Sequence, residues 1–82
     1  MSANTSDNEP EFMDLRGLKC PLPALMTRRA LEARAPGTLV TVLVDDPMAP
    51  IDIPHMCRQE GHMVIDTIRE GETTRIILQR GR

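Results

Sequence analysis

The chain has 82 residues, a net charge of −2, one Phe and neither Trp nor Tyr, so it can form one small domain with an aliphatic core. The slight acidic excess, without a basic stripe interleaved with aromatic side chains, argues against direct nucleic-acid binding. No apolar run approaches the roughly 18 residues that cross a bilayer, and the N-terminus lacks the features of a secretory signal, so we expect a cytoplasmic protein that does not contact membranes.

The first eleven residues are small, polar and acidic, which predicts a flexible tail. Residues 12–82 then form a single folded domain. Within it, residues 12–15 are a short apolar run that predicts an edge strand, and residues 21–35 are rich in good helix formers and predict the first helix. Pro36-Gly37 should end that helix.

The first helix has two candidate apolar faces, and its periodicity alone does not decide which one packs on the sheet. One face carries Leu22, Leu25, Met26 and Ala30. The other carries Ala24, Leu31 and Ala35.

The second half of the chain is richer in strands. Residues 39–44 are an almost unbroken apolar run, typical of a central strand. Prolines at positions 47, 50 and 54 argue against one regular helix in the next segment, so we expect a turn followed by a helix that is capped by Asp52 and ends at Gly61. Residues 62–68 and 73–80 predict a terminal hairpin.

The predicted order is therefore strand, helix, strand, helix, strand, strand. A strand–helix–strand unit requires parallel strands, and the terminal hairpin is antiparallel. We predict an α+β two-layer sandwich, βαβαββ, in which a mixed four-stranded sheet carries both helices on one face. The first two strands would bring Cys20 close to the loop of Asp45 and Asp46, at the carboxyl edge of the sheet.

Cys20 is the strongest candidate for chemistry. Proline is favoured at the first helical position, so Pro21 predicts that Cys20 is the N-cap, where the helix dipole favours an anion. Lys19 and Arg16 add positive charge, and a thiolate is the nucleophilic form of cysteine. We therefore expect a reactive thiol with a lowered pKa at Cys20, whereas Cys57 lies on the apolar stripe of the second helix and is expected to pack in the core.

The sequence around Cys20 resembles the Cys-Pro-x-Pro signature of TusA/SirA-type sulfur carriers. Residues 15–23 match it, and further matches follow in the family's order over residues 12–80: Asp46-Pro47, Ala49, Asp52-Ile53-Pro54, Cys57 and Gly61-His62. The resemblance implies a βαβαββ sandwich that carries a persulfide on Cys20. It also implies a sulfur-donor protein, such as a cysteine desulfurase or a rhodanese, and an acceptor protein in tRNA thiolation, molybdenum cofactor synthesis or sulfur oxidation.

The resemblance places the persulfide in an environment formed by the motif residues Arg16, Gly17, Lys19, Pro21, Leu22 and Pro23. We expect the backbone N–H groups of Leu22 and Ala24 to hold its charge. No residue qualifies as a dedicated general base, and no cofactor is expected. One exposed thiol is compatible with a monomeric carrier.

Other interpretations of these residues are weaker. A redox-sensing or protein-interaction module on the same fold could use Cys20 and Cys57. An RNA-binding module is suggested by fold analogy alone. His55, His62 and the two cysteines match no zinc-binding spacing, so no metal is expected. Asp45 and Asp46 read more simply as a loop and helix cap than as a metal or acid pair.

Overall fold

The computed structural model describes residues 11–82. They form four strands and two helices, in the order β1 (Glu11–Asp14), α1 (Leu22–Glu32), β2 (Leu39–Val44), α2 (Ala49–Glu60), β3 (Met63–Glu70) and β4 (Thr73–Gln79).

The strands form one mixed sheet in the order β1-β2-β4-β3. Strand β1 is parallel to β2, whereas β4 is antiparallel to both β2 and β3. A bulge between Val64 and Asp66 interrupts the register of the edge strand β3. The predicted α+β sandwich with βαβαββ order is therefore confirmed.

One face of the sheet is buried by the two helices. In β2 the side chains of Val40, Val42 and Val44 are fully buried, and they alternate with partly or fully exposed residues. In β4 the same period places Ile76 and Leu78 in the core and leaves Ile77 partly exposed. Residues of both helices complete this single aliphatic core: Leu31, Ala49, Ile53, Met56 and Cys57.

The buried face of α1 matches neither candidate face in full. Of the second face, Leu31 is buried and Ala24 packs against the core, whereas Ala35 is exposed and lies beyond the end of the helix. Pro23, Thr27 and Leu31 are its buried residues, whereas Leu22 and Met26 are exposed. The buried stripe has the i, i+4, i+8 spacing of a helix. It was not evident from the apolar pattern because its central member, Thr27, is polar.

Helix α2 begins earlier than predicted. It starts at Ala49, with Met48 at the N-cap, so the expected cap at Asp52 is wrong; Asp52 lies in the first turn. Pro50 is tolerated because the first N–H groups of a helix have no intrahelical partner, and Pro54 lies inside the helix. The helix ends as predicted at Gly61, whose φ of +83° is the left-handed conformation that glycine adopts readily.

Other boundaries differ from the predictions by one to three residues. Glu11, assigned to the tail, belongs to β1, and the rest of the predicted tail lies outside the described residues. Helix α1 spans Leu22–Glu32 rather than residues 21–35. Neither helix in residues 11–82 is long and apolar enough to cross a membrane.

Candidate active site

The segment between β1 and α1 carries Cys20 and is anchored to the neighbouring strand and loop. Leu15 is buried, and its N–H donates to the carbonyl of Leu43 in β2 at 2.8 Å. Gly17 adopts a φ of +89°, and its N–H donates to Asp45 Oδ1 at 2.9 Å. These contacts join the two loops that follow the parallel strands, as the predicted topology requires.

Cys20 is exposed and lies at the start of α1. The sequence predicts that it is the N-cap of this helix, but in the structure it precedes the N-cap by one residue. The N-cap is Pro21, and the peptide bond between Cys20 and Pro21 is cis. Pro23 is fully buried and attaches the first turn of α1 to the core. The thiol therefore lies just outside a helix end that is held firmly in place.

The backbone groups near the thiol differ from the predicted anion site. The Leu22 N–H, expected to hold the persulfide charge, donates instead to the carbonyl of Lys19 at 2.8 Å. Its hydrogen-bonding capacity is thus already used. The Lys19 side chain is exposed beside the cysteine.

Arg16 is held by a carboxylate of its own. Its Nε donates to Asp14 Oδ1 at 2.8 Å and its terminal nitrogen donates to Asp14 Oδ2 at 2.7 Å. This two-pronged bond, together with a bond from the Arg16 N–H, lowers the pKa of Asp14 to about 2. The positive charge of Arg16 is therefore largely balanced by Asp14 and is not directed at the thiol.

The closest polar partner of the thiol is a residue of α2. Cys20 Sγ donates a hydrogen bond to Asp52 Oδ2 across 3.0 Å. This bond, followed by desolvation and by the negative charges of Asp52 and Asp46, raises the pKa of Cys20 above the ordinary value of a thiol. The predicted lowered pKa is therefore wrong, because the carboxylates of Asp52 and Asp46 favour the neutral thiol.

Asp45 and Asp46 have structural partners on the two sides of the site. Asp45 binds the Gly17 N–H, as described above, and the largely buried Asp46 accepts the Met48 N–H through Oδ2 at 3.1 Å. This bond closes a turn just before α2, but the N-cap of the helix is Met48 and no side chain caps it, so the cap role expected of this aspartate pair is wrong. Both aspartates also line a cleft of about 400 Å³, but Cys20 does not.

Cys57 is a core residue, as the sequence predicts. It is 1% exposed, and burial raises the pKa of its thiol to about 11. Neither cysteine is in a disulfide. Within residues 11–82, no three His, Cys, Asp or Glu side chains form a group that could hold a metal ion.

Asp52 is the site residue that the sequence analysis missed. It belongs to the Asp52-Ile53-Pro54 run that resembles the family, but the sequence analysis assigned it only the role of a helix cap. The signal that could have revealed it is the placement of α2 one turn earlier, because Asp52 is then too far along the helix to be its cap. Packing of α2 beside α1 then brings this carboxylate to the thiol.

The fold and the site define a class of protein: a small α+β sandwich that presents one exposed cysteine at a helix start. Comparison with known proteins identifies the family. Residues 11–80 match the family model described as "Sulfurtransferase TusA", and the chain belongs to this family. It resembles sulfur carriers in sequence and, at the level of the fold, a SirA-like protein.

Two of the similar sequences come from Neisseria meningitidis, one from serogroup A and one from serogroup B. Each is named "Putative sulfur carrier protein", is 39% identical over 69 residues, and is matched over 84% of this chain and 93% of its own length. The crystal structure of a SirA-like protein from Desulfitobacterium hafniense superposes with a TM-score of 0.75 at 24% identity, covering 90% of this chain and all of the other. That structure supports the fold.

Proposed function

We propose that this protein takes up sulfane sulfur as a persulfide on Cys20 and relays it to an acceptor protein. The observation that carries the proposal is the exposed Cys20 thiol of a Cys-Pro-x-Pro motif at the start of α1, in a chain of the sulfurtransferase family. The second cysteine is buried, so the sulfur of a partner protein cannot reach it.

The proposed chemistry is a thiol–persulfide exchange. The Cys20 sulfur attacks the outer sulfur of a persulfide on the donor protein. A new S–S bond forms on Cys20, the donor's S–S bond breaks, and the electron pair leaves with the donor's inner sulfur, which ends as a thiol. Delivery repeats the same exchange with a cysteine of the acceptor, so no external oxidant or reductant is needed.

The surroundings of Cys20 suit a protein partner. Leu22 and Met26 are exposed on α1, which begins just after Cys20, and Met48 and Ile51 are exposed at the start of α2, the helix that carries Asp52. Apolar side chains exposed around a reactive group are typical of docking surfaces. We propose a cysteine desulfurase or a rhodanese as the donor.

The finer assignments follow the family. We propose that the acceptor serves tRNA 2-thiolation, molybdenum cofactor synthesis or sulfur oxidation, and that the exchange takes place in the cytoplasm. A single exposed thiol is sufficient for this role, so the carrier can act as a monomer. No direct contact with nucleic acid and no cofactor is required by the chemistry.

The test is incubation of the full chain with a sulfane-sulfur donor, followed by intact-mass measurement. We expect a mass increase of about 32 Da, one sulfur atom, that a reductant removes. The Cys20→Ser variant should lose the adduct, and the Cys57→Ala variant should keep it. No adduct on the wild type, or an adduct that persists in Cys20→Ser, would refute the assignment; a Cys20–Cys57 disulfide after peroxide treatment would favour the sensor function instead.

A further inference from the structure

The contact between Cys20 and Asp52 has a direction. A carboxylate at neutral pH can only accept hydrogen bonds, so the 3.0 Å contact from Sγ to Oδ2 requires a proton on the sulfur. Within residues 11–82, Asp52 is the one side chain that forms a hydrogen bond with this thiol. It comes from the first turn of α2, 32 residues further along the chain.

We infer that Asp52 distinguishes the empty carrier from the loaded one, because it binds the Cys20 thiol and repels the persulfide anion that replaces it. This inference rests on the proposed function. Asp52 is a positioning residue for that exchange, because it affects the protonation and orientation of the Cys20 sulfur and contributes no atom to the reaction.

In the empty carrier, the bond to Asp52 stabilises the neutral thiol. Two charged groups act on the sulfur: Asp52 on α2 and Asp46 in the loop before it. Lys19 is its exposed neighbour in the sequence. The two carboxylates raise the thiol pKa, with the hydrogen bond to Asp52 as the largest cause. A raised thiol pKa means less thiolate at neutral pH and therefore less reaction with oxidants and other electrophiles.

Loading removes the bonded proton from the site. In the exchange, the outer sulfur of the donor takes the place of hydrogen on Cys20 Sγ, so Sγ can no longer donate to Asp52. The outer sulfur is acidic, and once it loses its proton it carries a negative charge near Asp52 and Asp46. Repulsion then favours conformations in which the outer sulfur points away from α2 and towards a docked acceptor.

Both effects act in the same direction on the exchange equilibrium. Asp52 stabilises the empty carrier and destabilises the loaded one, so its presence should ease delivery at the expense of retention. Replacement by asparagine keeps the shape and removes the charge. Charge-assisted hydrogen bonds are stronger than neutral ones, but this one is exposed to solvent and therefore weakened. We expect about a three- to tenfold change in the equilibrium constant.

The first experiment equilibrates the full chain with fixed amounts of glutathione persulfide and glutathione at neutral pH. Intact mass gives the ratio of loaded to empty carrier. We expect this ratio to rise about three- to tenfold in Asp52→Asn, to stay closer to wild type in Asp52→Glu, and to be unchanged in the control Asp66→Asn, which removes the same charge from β3. An unchanged ratio in Asp52→Asn, or an equal rise in Asp66→Asn, would overturn the inference.

The second experiment needs no sulfur transfer, so it separates the two proposals. The rate of Cys20 alkylation by iodoacetamide is followed against pH, and Cys20-containing peptides are quantified. The midpoint should lie at higher pH in folded wild type than in urea-unfolded wild type, and Asp52→Asn should lower it in the folded state. A wild-type midpoint equal to the unfolded one refutes the inference even if a variant fails to fold. A shifted midpoint without any persulfide adduct instead refutes the sulfur-carrier function, and of the inference it leaves only the stabilisation of the thiol by Asp52.

Discussion

Replacement of Leu31 by alanine should remove a large part of the stability of this domain. Leu31 is 0% exposed and belongs to the single aliphatic core between α1 and the sheet. A buried Leu→Ala change costs about 2 to 5 kcal/mol of unfolding free energy, because transfer energy is lost and a cavity remains. A folded domain of this size has only about 4 to 10 kcal/mol in total.

The matched control is Met26→Ala on the same helix. Met26 is 40% exposed and is not part of the buried stripe. Its replacement should therefore lower the free energy of unfolding by less than about 1 kcal/mol. Urea unfolding followed by far-UV circular dichroism measures both variants. This signal is preferable to fluorescence because the chain has no Trp or Tyr.

The comparison tests which face of α1 packs on the sheet. Equal losses for the two variants, or a larger loss for Met26→Ala, would mean that the helix is rotated relative to the structure described above. A loss below about 1 kcal/mol for Leu31→Ala would show that the site is not a close-packed core position.

Two further predictions concern polar groups. Thr27→Val should raise the free energy of unfolding by about 1 kcal/mol, measured by urea titration, because the Thr27 hydroxyl is buried without a hydrogen-bond partner within the described residues; a destabilisation of that size would instead indicate a bound partner. The Asp14 carboxyl should titrate by NMR near pH 2 in the wild type and move towards 3.8 in Arg16→Gln. Because the folded-state pKa is lowered, the stability difference between these two proteins should be full above about pH 4 and vanish as the pH falls through about 2; a difference that persists at lower pH would contradict the pairing.

The sequence predicted the strands well because their patterns are local. Strand β2 has the predicted bounds, since six consecutive apolar or β-branched residues have few alternatives. Strand β4 begins at the predicted residue and ends one residue earlier than predicted. Pairing of β1 with β2 followed from the need for a parallel crossover.

Helix positions were less predictable where a local rule was overridden. The prolines argued against a helix before Asp52. Pro50, however, lies in the first turn, where an N–H group would have no intrahelical acceptor, so its missing N–H costs no hydrogen bond. Thr27 concealed the buried face of α1, because a polar residue in the stripe breaks the apolar period. In both cases tertiary packing decided the outcome, and the local pattern could not show it.

The exposed location of Cys20 followed from its motif, but its pKa did not. Neighbours in sequence suggested positive charge around the sulfur. In the folded chain Arg16 forms an ion pair with Asp14, and the Leu22 N–H donates to the backbone carbonyl of Lys19. The carboxylate of Asp52, from the second helix, contacts the thiol. A thiol pKa depends on groups within a few ångströms, and a contact between residues 32 apart is fixed only by the packing of α1 beside α2.

The first turns of α2 hold the backbone of one member of the Cys20–Asp52 pair in place. Ala49 and Ile53 are fixed in the core on either side of Asp52 along the helix, so the carboxylate has a stationary backbone. Cys20 lies in an exposed loop before α1. The sulfur and the carboxylate can therefore separate by rotation of either side chain or by a shift of the cysteine's loop, without movement of the α2 backbone, and a partner that binds this loop would control sulfur release without deforming the domain.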